Sequence, residues 1–159
     1  MMKRLPILAV VLGVLGLIPF LGCTIGIILF PSDVPVPNMV MAIIAYGAVI
    51  LSFLGGVHWG LALEPAPSVI VPGQAATDSK RLALGVVPSL IGWAALLVPL
   101  VSSALVAIIL LILGFAVTLL VEAQARRRGA IPEGYMALRW VLSAVVLLCL
   151  FAVLLARLF

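Results

Sequence analysis

The chain has one histidine, His58, set inside an apolar run. A neutral imidazole titrates near pH ~6.5 and can relay a proton or ligate a metal. It can equally hydrogen-bond a neighbouring helix or a lipid headgroup. Glu122 and Arg126 stand four residues apart, the spacing at which opposite charges pair along one helix face. Arg139 opens the last apolar segment. His58, Glu122 and Arg139 all fall near the same end of their segments, so one polar pocket can hold all three if their helices are neighbours. Trp59, next to His58, completes this candidate polar site. The alternative for Glu122 and Arg126 is an interfacial ion pair of small energetic consequence.

A second pattern concerns packing rather than acid–base chemistry. Ala48, Ser52, Gly56 and Gly60 recur every four residues. At about 100° per residue they form one narrow helix stripe. Small residues at this spacing let helix backbones approach closely in lipid, within one chain or between copies. The other use is a thin wall beside a ligand or pathway. Gly55 widens the stripe and Trp59 sits on its edge. His58 falls nearly opposite, with Leu51, Leu54 and Leu61.

These residues need elements to position them, and composition decides which kind. Hydrophobic residues make up 66% of the 159 and charged ones only 9%. Mean hydropathy is +1.45. A soluble domain is about 45–50% apolar and about 25% charged. The solvent for this chain is therefore lipid, which excludes a disordered chain, a nucleic-acid binder and a soluble enzyme. Net charge is +4, but the nine basic residues sit in short loops. In a membrane protein that excess sets orientation.

A bilayer core takes about 20 helical residues. Uncharged stretches place spans at 5–30, 39–63, 82–98, 104–122 and 135–158. The segment 82–121 carries no charge over roughly two crossings, so it must fold back on itself. Pro99-Leu100-Val101-Ser102-Ser103 supplies the break, a proline to stop one helix and a serine to cap the next. Asp78-Ser79 reads as an N-cap for the third span. Pro19 and Pro88 read as kinks. Tyr135 and Trp140 suit an aromatic belt, and the triplet Arg126-Arg127-Arg128 can touch anionic lipids. The predicted fold is an all-α bundle of five transmembrane helices forming one domain over 1–159.

Lys3, Arg4, Lys80, Arg81, Arg126, Arg127, Arg128 and Arg139 all fall on one side of this topology, with Arg157 alone at the other. By the positive-inside rule the N-terminus is cytoplasmic and the C-terminus outside. Cys23 and Cys149 lie in apolar runs and read as small packing residues. Phe20-Leu21-Gly22-Cys23 looks like a lipidation signal. The apolar run, however, continues past Cys23 to Phe30, as a retained helix would.

No His-Glu-x-x-His, Gly-x-Ser-x-Gly or glycine-rich phosphate loop occurs. Haem or zinc needs several ligands. No catalytic residue, metal or cofactor is therefore expected, nor an enzyme.

Several segments together resemble a known family. They are Gly16-Leu17-Ile18-Pro19-Phe20 and the run 46–60 from Tyr46-Gly47-Ala48 to Val57-His58-Trp59-Gly60. Arg81 with Gly85-Val86-Val87-Pro88-Ser89 and Trp93 continues the match, and Pro132, Tyr135 and Arg139 end it. The chain resembles the transmembrane-protein-69-like group, small multi-span proteins of bacteria and mitochondrial inner membranes that form a domain-of-unknown-function family. The resemblance implies a bacterial cytoplasmic (inner) membrane location and supplies no activity. Its departures are the longer Pro/Ala/Ser loop at 64–80 and Cys23.

The expected function is a non-catalytic protein that binds, assembles or stabilises other membrane complexes. The alternative is a small homo-oligomeric transporter or channel using His58 near a cytoplasmic-side polar pocket. The expected partners are the bilayer and another membrane complex or a second copy, with no nucleic acid.

Overall fold

The computed structural model describes residues 7–30, 36–63, 74–127 and 133–159. All regular structure among them is helical: α1 Ile7–Leu15, α2 Ile18–Leu29, α3 Val36–Leu63, α4 Gln74–Val101, α5 Ala104–Arg127 and α6 Glu133–Leu158. Five segments are long and apolar enough to cross a membrane: Ile7–Leu29, Pro37–Gly60, Leu82–Val101, Ala104–Gln124 and Met136–Leu158. These are the five expected spans. The residues bearing the N-in, C-out expectation at 3, 4 and 128 lie outside the described residues, as do the side chains at 80, 81, 126 and 127.

Local chemistry moves several boundaries. The first span is two helices, not one kinked helix. Pro19 sits in the first turn of α2. Its ring would clash with the carbonyl of Leu15, four residues back. The chain therefore ends α1 at Leu15 and restarts after Gly16 and Leu17. The Tyr46 hydroxyl donates to the Gly16 carbonyl at 3.0 Å, so the broken ladder keeps a partner. Cys23 lies in the middle of α2. Pro37 and Asn38 belong to the first turn of α3 rather than to a turn before it, a position where proline costs little.

The third span begins at Leu82 as expected but runs on to Val101, and the helix that carries it begins earlier. α4 starts at Gln74, so Asp78 and Ser79 lie inside the helix and are not its cap; their side chains lie outside the described residues. Pro99 is also inside α4, in its last turn. The break comes at Ser102-Ser103. Leu105 N–H donates to Ser103 Oγ at 3.1 Å, which caps α5 as expected of a serine there.

α3 is the central helix. It packs on α2, α4 and α5, while α6 closes the bundle against α5, α2 and α1. The core is apolar and dense: Phe20, Ile43, Ile44, Leu51, Ile108, Leu111, Phe115 and Leu150 are fully buried. Phe20 packs edge-on to Tyr46 at 5.2 Å and to Phe115 at 6.2 Å, geometry that aromatic rings favour. Outward faces are also apolar, with Trp93, Leu100, Leu113, Val117 and Leu148 exposed. In water such a surface would aggregate; in lipid it is solvated.

Candidate functional site

The site forms where three spans end at the same level. His58 stands two residues before the Gly60 end of its span, Glu122 two before Gln124, and Arg139 three after Met136. α3 and α5 run one way and α6 the other, so all three residues meet at one end of the bundle.

The meeting is close. Arg139 Nε donates to Glu122 Oε2 at 2.7 Å. Arg139 Nη1 donates to Ser143 Oγ at 2.8 Å, one turn further along α6. His58 Nε2 lies 3.8 Å from Glu122 Oε1, an electrostatic contact too long for a hydrogen bond. Glu122 is 1% exposed, His58 5%, Arg139 6% and Ser143 fully buried. One turn before Glu122, the Thr118 hydroxyl donates to the Gly114 carbonyl at 2.8 Å.

Burying a carboxylate or a guanidinium alone costs several kcal/mol, about as much as its partner can return. Glu122 and Arg139 are buried together, so neither helix face is stable without the other. Two polar atoms are left over. Among the described residues, Glu122 Oε1 and Arg139 Nη2 are buried with no hydrogen-bond partner. Among the described residues, no three His, Cys, Asp or Glu side chains come together as a metal site.

The structure thus brings His58, Glu122 and Arg139 together and adds Ser143. Hydropathy gave no hint of Ser143. Its signal is the four-residue spacing from Arg139 inside an apolar run. Arg126 lies beyond the described side chains, and the acid it was expected to engage is held by Arg139. Trp59 is not part of the cluster. It is half-exposed on another face, and its Nε1 donates to the Leu82 carbonyl at 3.0 Å.

The small-residue stripe divides. Ala48 lies against α4: a Cβ at Gly92 would come 2.8 Å from the Ala48 carbonyl oxygen. One helix turn on, Ser52 Oγ back-bonds to the Ala48 carbonyl at 2.8 Å. The next close approach uses Gly55, whose Cβ would meet the carbonyl oxygen of Gly85. Gly56 and Gly60 are exposed, with open space where a Cβ would go. Within the chain the packing line is therefore Ala48–Gly55–Trp59, not Ala48–Gly56–Gly60. The reason is the partner: Gly85 and Gly92 stand seven apart, and so do Gly55 and Ala48, read in the antiparallel direction. A seven-residue repeat keeps one seam facing its partner.

The chain is similar to known transmembrane proteins. Transmembrane protein 69 of Xenopus tropicalis is 34% identical over 149 residues, 94% of this chain and 54% of that protein. Transmembrane protein 69 of Mus musculus is 39% identical over 82 residues, 52% of this chain and 30% of that protein. The chain thus spans about half the length of the frog relative. No solved structure matches. The family model described as "Protein of unknown function (DUF3429)" matches residues 5–155. The chain therefore belongs to the DUF3429 family and is a multi-pass membrane protein.

Proposed function

We propose that this is a non-catalytic protein of a bacterial cytoplasmic membrane, N-terminus inside, that binds and stabilises other membrane protein complexes. One observation carries the reading. Gly56 and Gly60 lie one turn apart on the exposed side of α3, with open space beyond both, while the bundle's own close contacts use Gly55, Gly85 and Gly92. A face of this kind admits a foreign helix at backbone distance. The cytoplasmic placement of the N-terminus rests on the clustering of basic residues.

The test is a mild-detergent capture of tagged protein from native membranes, followed by native mass spectrometry. The expected result is a foreign integral protein at fixed stoichiometry. It is lost from Gly56→Leu, whose membrane level stays at that of the wild type. Unchanged capture by Gly56→Leu sinks the reading, and so does a clean homo-oligomer.

A second reading is favoured by a different observation. Three ionisable side chains, His58, Glu122 and Arg139, are buried together within membrane spans, where such groups mark transport pathways by default. On this reading the protein is a homo-oligomeric transporter or channel. Reconstituted into vesicles with an internal pH dye, it would carry a proton flux that His58→Ala abolishes. No flux from the wild-type protein ends this alternative.

A further inference from the structure

The first span is built in two unequal halves. α2 buries Phe20, Thr24, Gly26 and Ile27 against the bundle, whereas α1 buries no residue. Ile7, Leu8, Leu12 and Val14 of α1 are all exposed. α6 is the helix on which α1 packs most, and the approach is made at Gly13. A Cβ there would come 2.9 Å from Leu142 Cδ1 and 3.8 Å from Leu138 Cδ2. Both are ends of flexible side chains, unlike the backbone seam between α3 and α4. A segment with so little buried contact moves at low free-energy cost while the rest of the fold stays intact.

The joint between the halves has the features of a hinge. Pro19 has no N–H to give the Leu15 carbonyl, and its ring crowds that oxygen. The Gly16 N–H still donates to the Leu12 carbonyl at 3.0 Å, but the Leu17 N–H donates to Val14, three residues back rather than four. A tightened turn of this kind inside a span is typical of a hinge. Gly16 carries no side chain to resist rotation. On the bundle side the pivot is pinned. The Tyr46 hydroxyl holds the Gly16 carbonyl, and the Tyr46 ring is itself packed on Phe20. Motion at the joint therefore moves α1 and leaves α2 in place.

There is also somewhere for α1 to go. A cleft of about 370 Å³ separates it from α3. α1 faces the cleft with Ala9, Leu12 and Gly13, and α3 faces it with Phe53, Leu54 and Val57. Small residues on the α1 side permit close helix approach in lipid. Leu8 stands eight residues before Gly16, a lever of about 12 Å at the helical rise, so a modest rotation carries that end well into the cleft. Arg139 is also on the lining. The position of α1 thus decides whether lipid or a helix packs against that flank of the polar cluster.

We infer that α1 is a hinged flap: it pivots at Gly16 and Leu17 between the described position on α6 and a second position on α3, in which the cleft is closed. The flap does not depend on the partner role of the α3 glycine face.

The test uses the full chain in phosphatidylcholine vesicles, with Cys23 and Cys149 replaced by alanine and nitroxides carried on introduced cysteines. One pair, Leu8→Cys with Gly60→Cys, joins α1 to the same end of α3. The control pair, Leu21→Cys with Gly60→Cys, starts from α2. All three positions are exposed. Pulsed electron resonance on frozen samples reads the distances and their populations. The expected result is two distances for the α1 pair, the longer one that of the described position, and one distance for the α2 pair. Two variants test the cause. Val57→Trp fills the cleft from the α3 side without touching the joint, and should abolish the shorter distance. Pro19→Ala returns the missing N–H and joins α1 to α2 as one stiff helix, and should abolish it too. Leu113→Trp, on the outer face of α5, should leave both distances in place. A single distance for the α1 pair in the unsubstituted flap overturns the proposal, as does a shorter distance that persists in Val57→Trp. Two distances for the α2 pair also overturn it, because the whole span then moves. A shorter distance that survives Pro19→Ala overturns the pivot. If Pro19→Ala is not recovered in the membrane, Val57→Trp and the α2 pair decide.

Discussion

The two flanks of α3 are built by opposite means. Toward α4, helix backbones touch almost without side chains: Ala48 meets Gly92, and Gly55 meets Gly85. Toward α5 and α6, near the same end, contact is made by the long polar side chains of His58, Glu122 and Arg139. The glycine seam is held by dispersion and fit, which fail gradually as volume is added. The polar cluster is held by charge in a medium of low dielectric, which fails abruptly when one partner is removed. The seam says only that two helices are adjacent. The cluster also says which rotation of α6 is correct, because Arg139 and Ser143 must both face inward.

The sharpest way to break this contrast is Glu122→Leu. The Arg139 guanidinium is then buried with only a serine, and the expected loss is about 3–5 kcal/mol in detergent unfolding. Adding Arg139→Met should restore most of it, because an apolar pair of similar volume removes both desolvation costs. A single-variant loss below about 1 kcal/mol would show that water reaches the cluster and that it is no charge lock.

Next in size is Gly55→Ala on the other flank. The new Cβ would meet the Gly85 carbonyl, which is backbone and cannot swing away. Overpacking of this kind costs about 1–3 kcal/mol, read as a lower unfolding midpoint. A neutral result would mean that the α3–α4 seam is looser than its geometry.

How far these flanks could be read without coordinates differs in the same way. The five spans follow from hydropathy alone, since lipid demands about 20 apolar residues per crossing. The level of His58, Glu122 and Arg139 was also legible, because distance from a span end fixes depth. What depth cannot supply is which helices are neighbours, so the Glu122–Arg139 bond could not be fixed from the sequence. Ser143 was invisible until Arg139 had a direction. Within the chain the close contact uses Gly55, which widened the expected stripe, rather than Gly56. Four-residue spacing is frequent in membrane helices, whereas the deciding signal was a seven-residue spacing shared by α3 and α4. The helix end at Pro99 was misread for a related reason. Neighbouring groups can satisfy the carbonyl a proline frees, so a helix can continue through it in a membrane.

A smaller effect is expected from Trp59→Phe. Its Nε1 bond to the Leu82 carbonyl ties α3 to α4 at an exposed position. Such bonds contribute about 0.5–1.5 kcal/mol, and the exposed setting places this one at the low end. The ring also lies over Gly85, where a Cβ would meet its Cδ1, and phenylalanine keeps most of that cover. A loss above about 2 kcal/mol would move Trp59 from accessory to structural, beyond what one hydrogen bond can supply.

The smallest change in stability, and of opposite sign, belongs to Gly56→Ala. Its Cβ enters open space, and alanine in place of a mid-helix glycine stabilises by about 0.5–1 kcal/mol. Gly55→Ala and Gly56→Ala are the same substitution on adjacent residues, so helix propensity cancels between them. The difference in their unfolding free energies measures the α4 seam alone. If both destabilise equally, α3 is rotated from the orientation described and the exposed glycine face does not exist. If they differ in sign, the Gly56 face is free in the isolated chain. Any loss of a captured partner in Gly56→Leu then reports on binding rather than on folding.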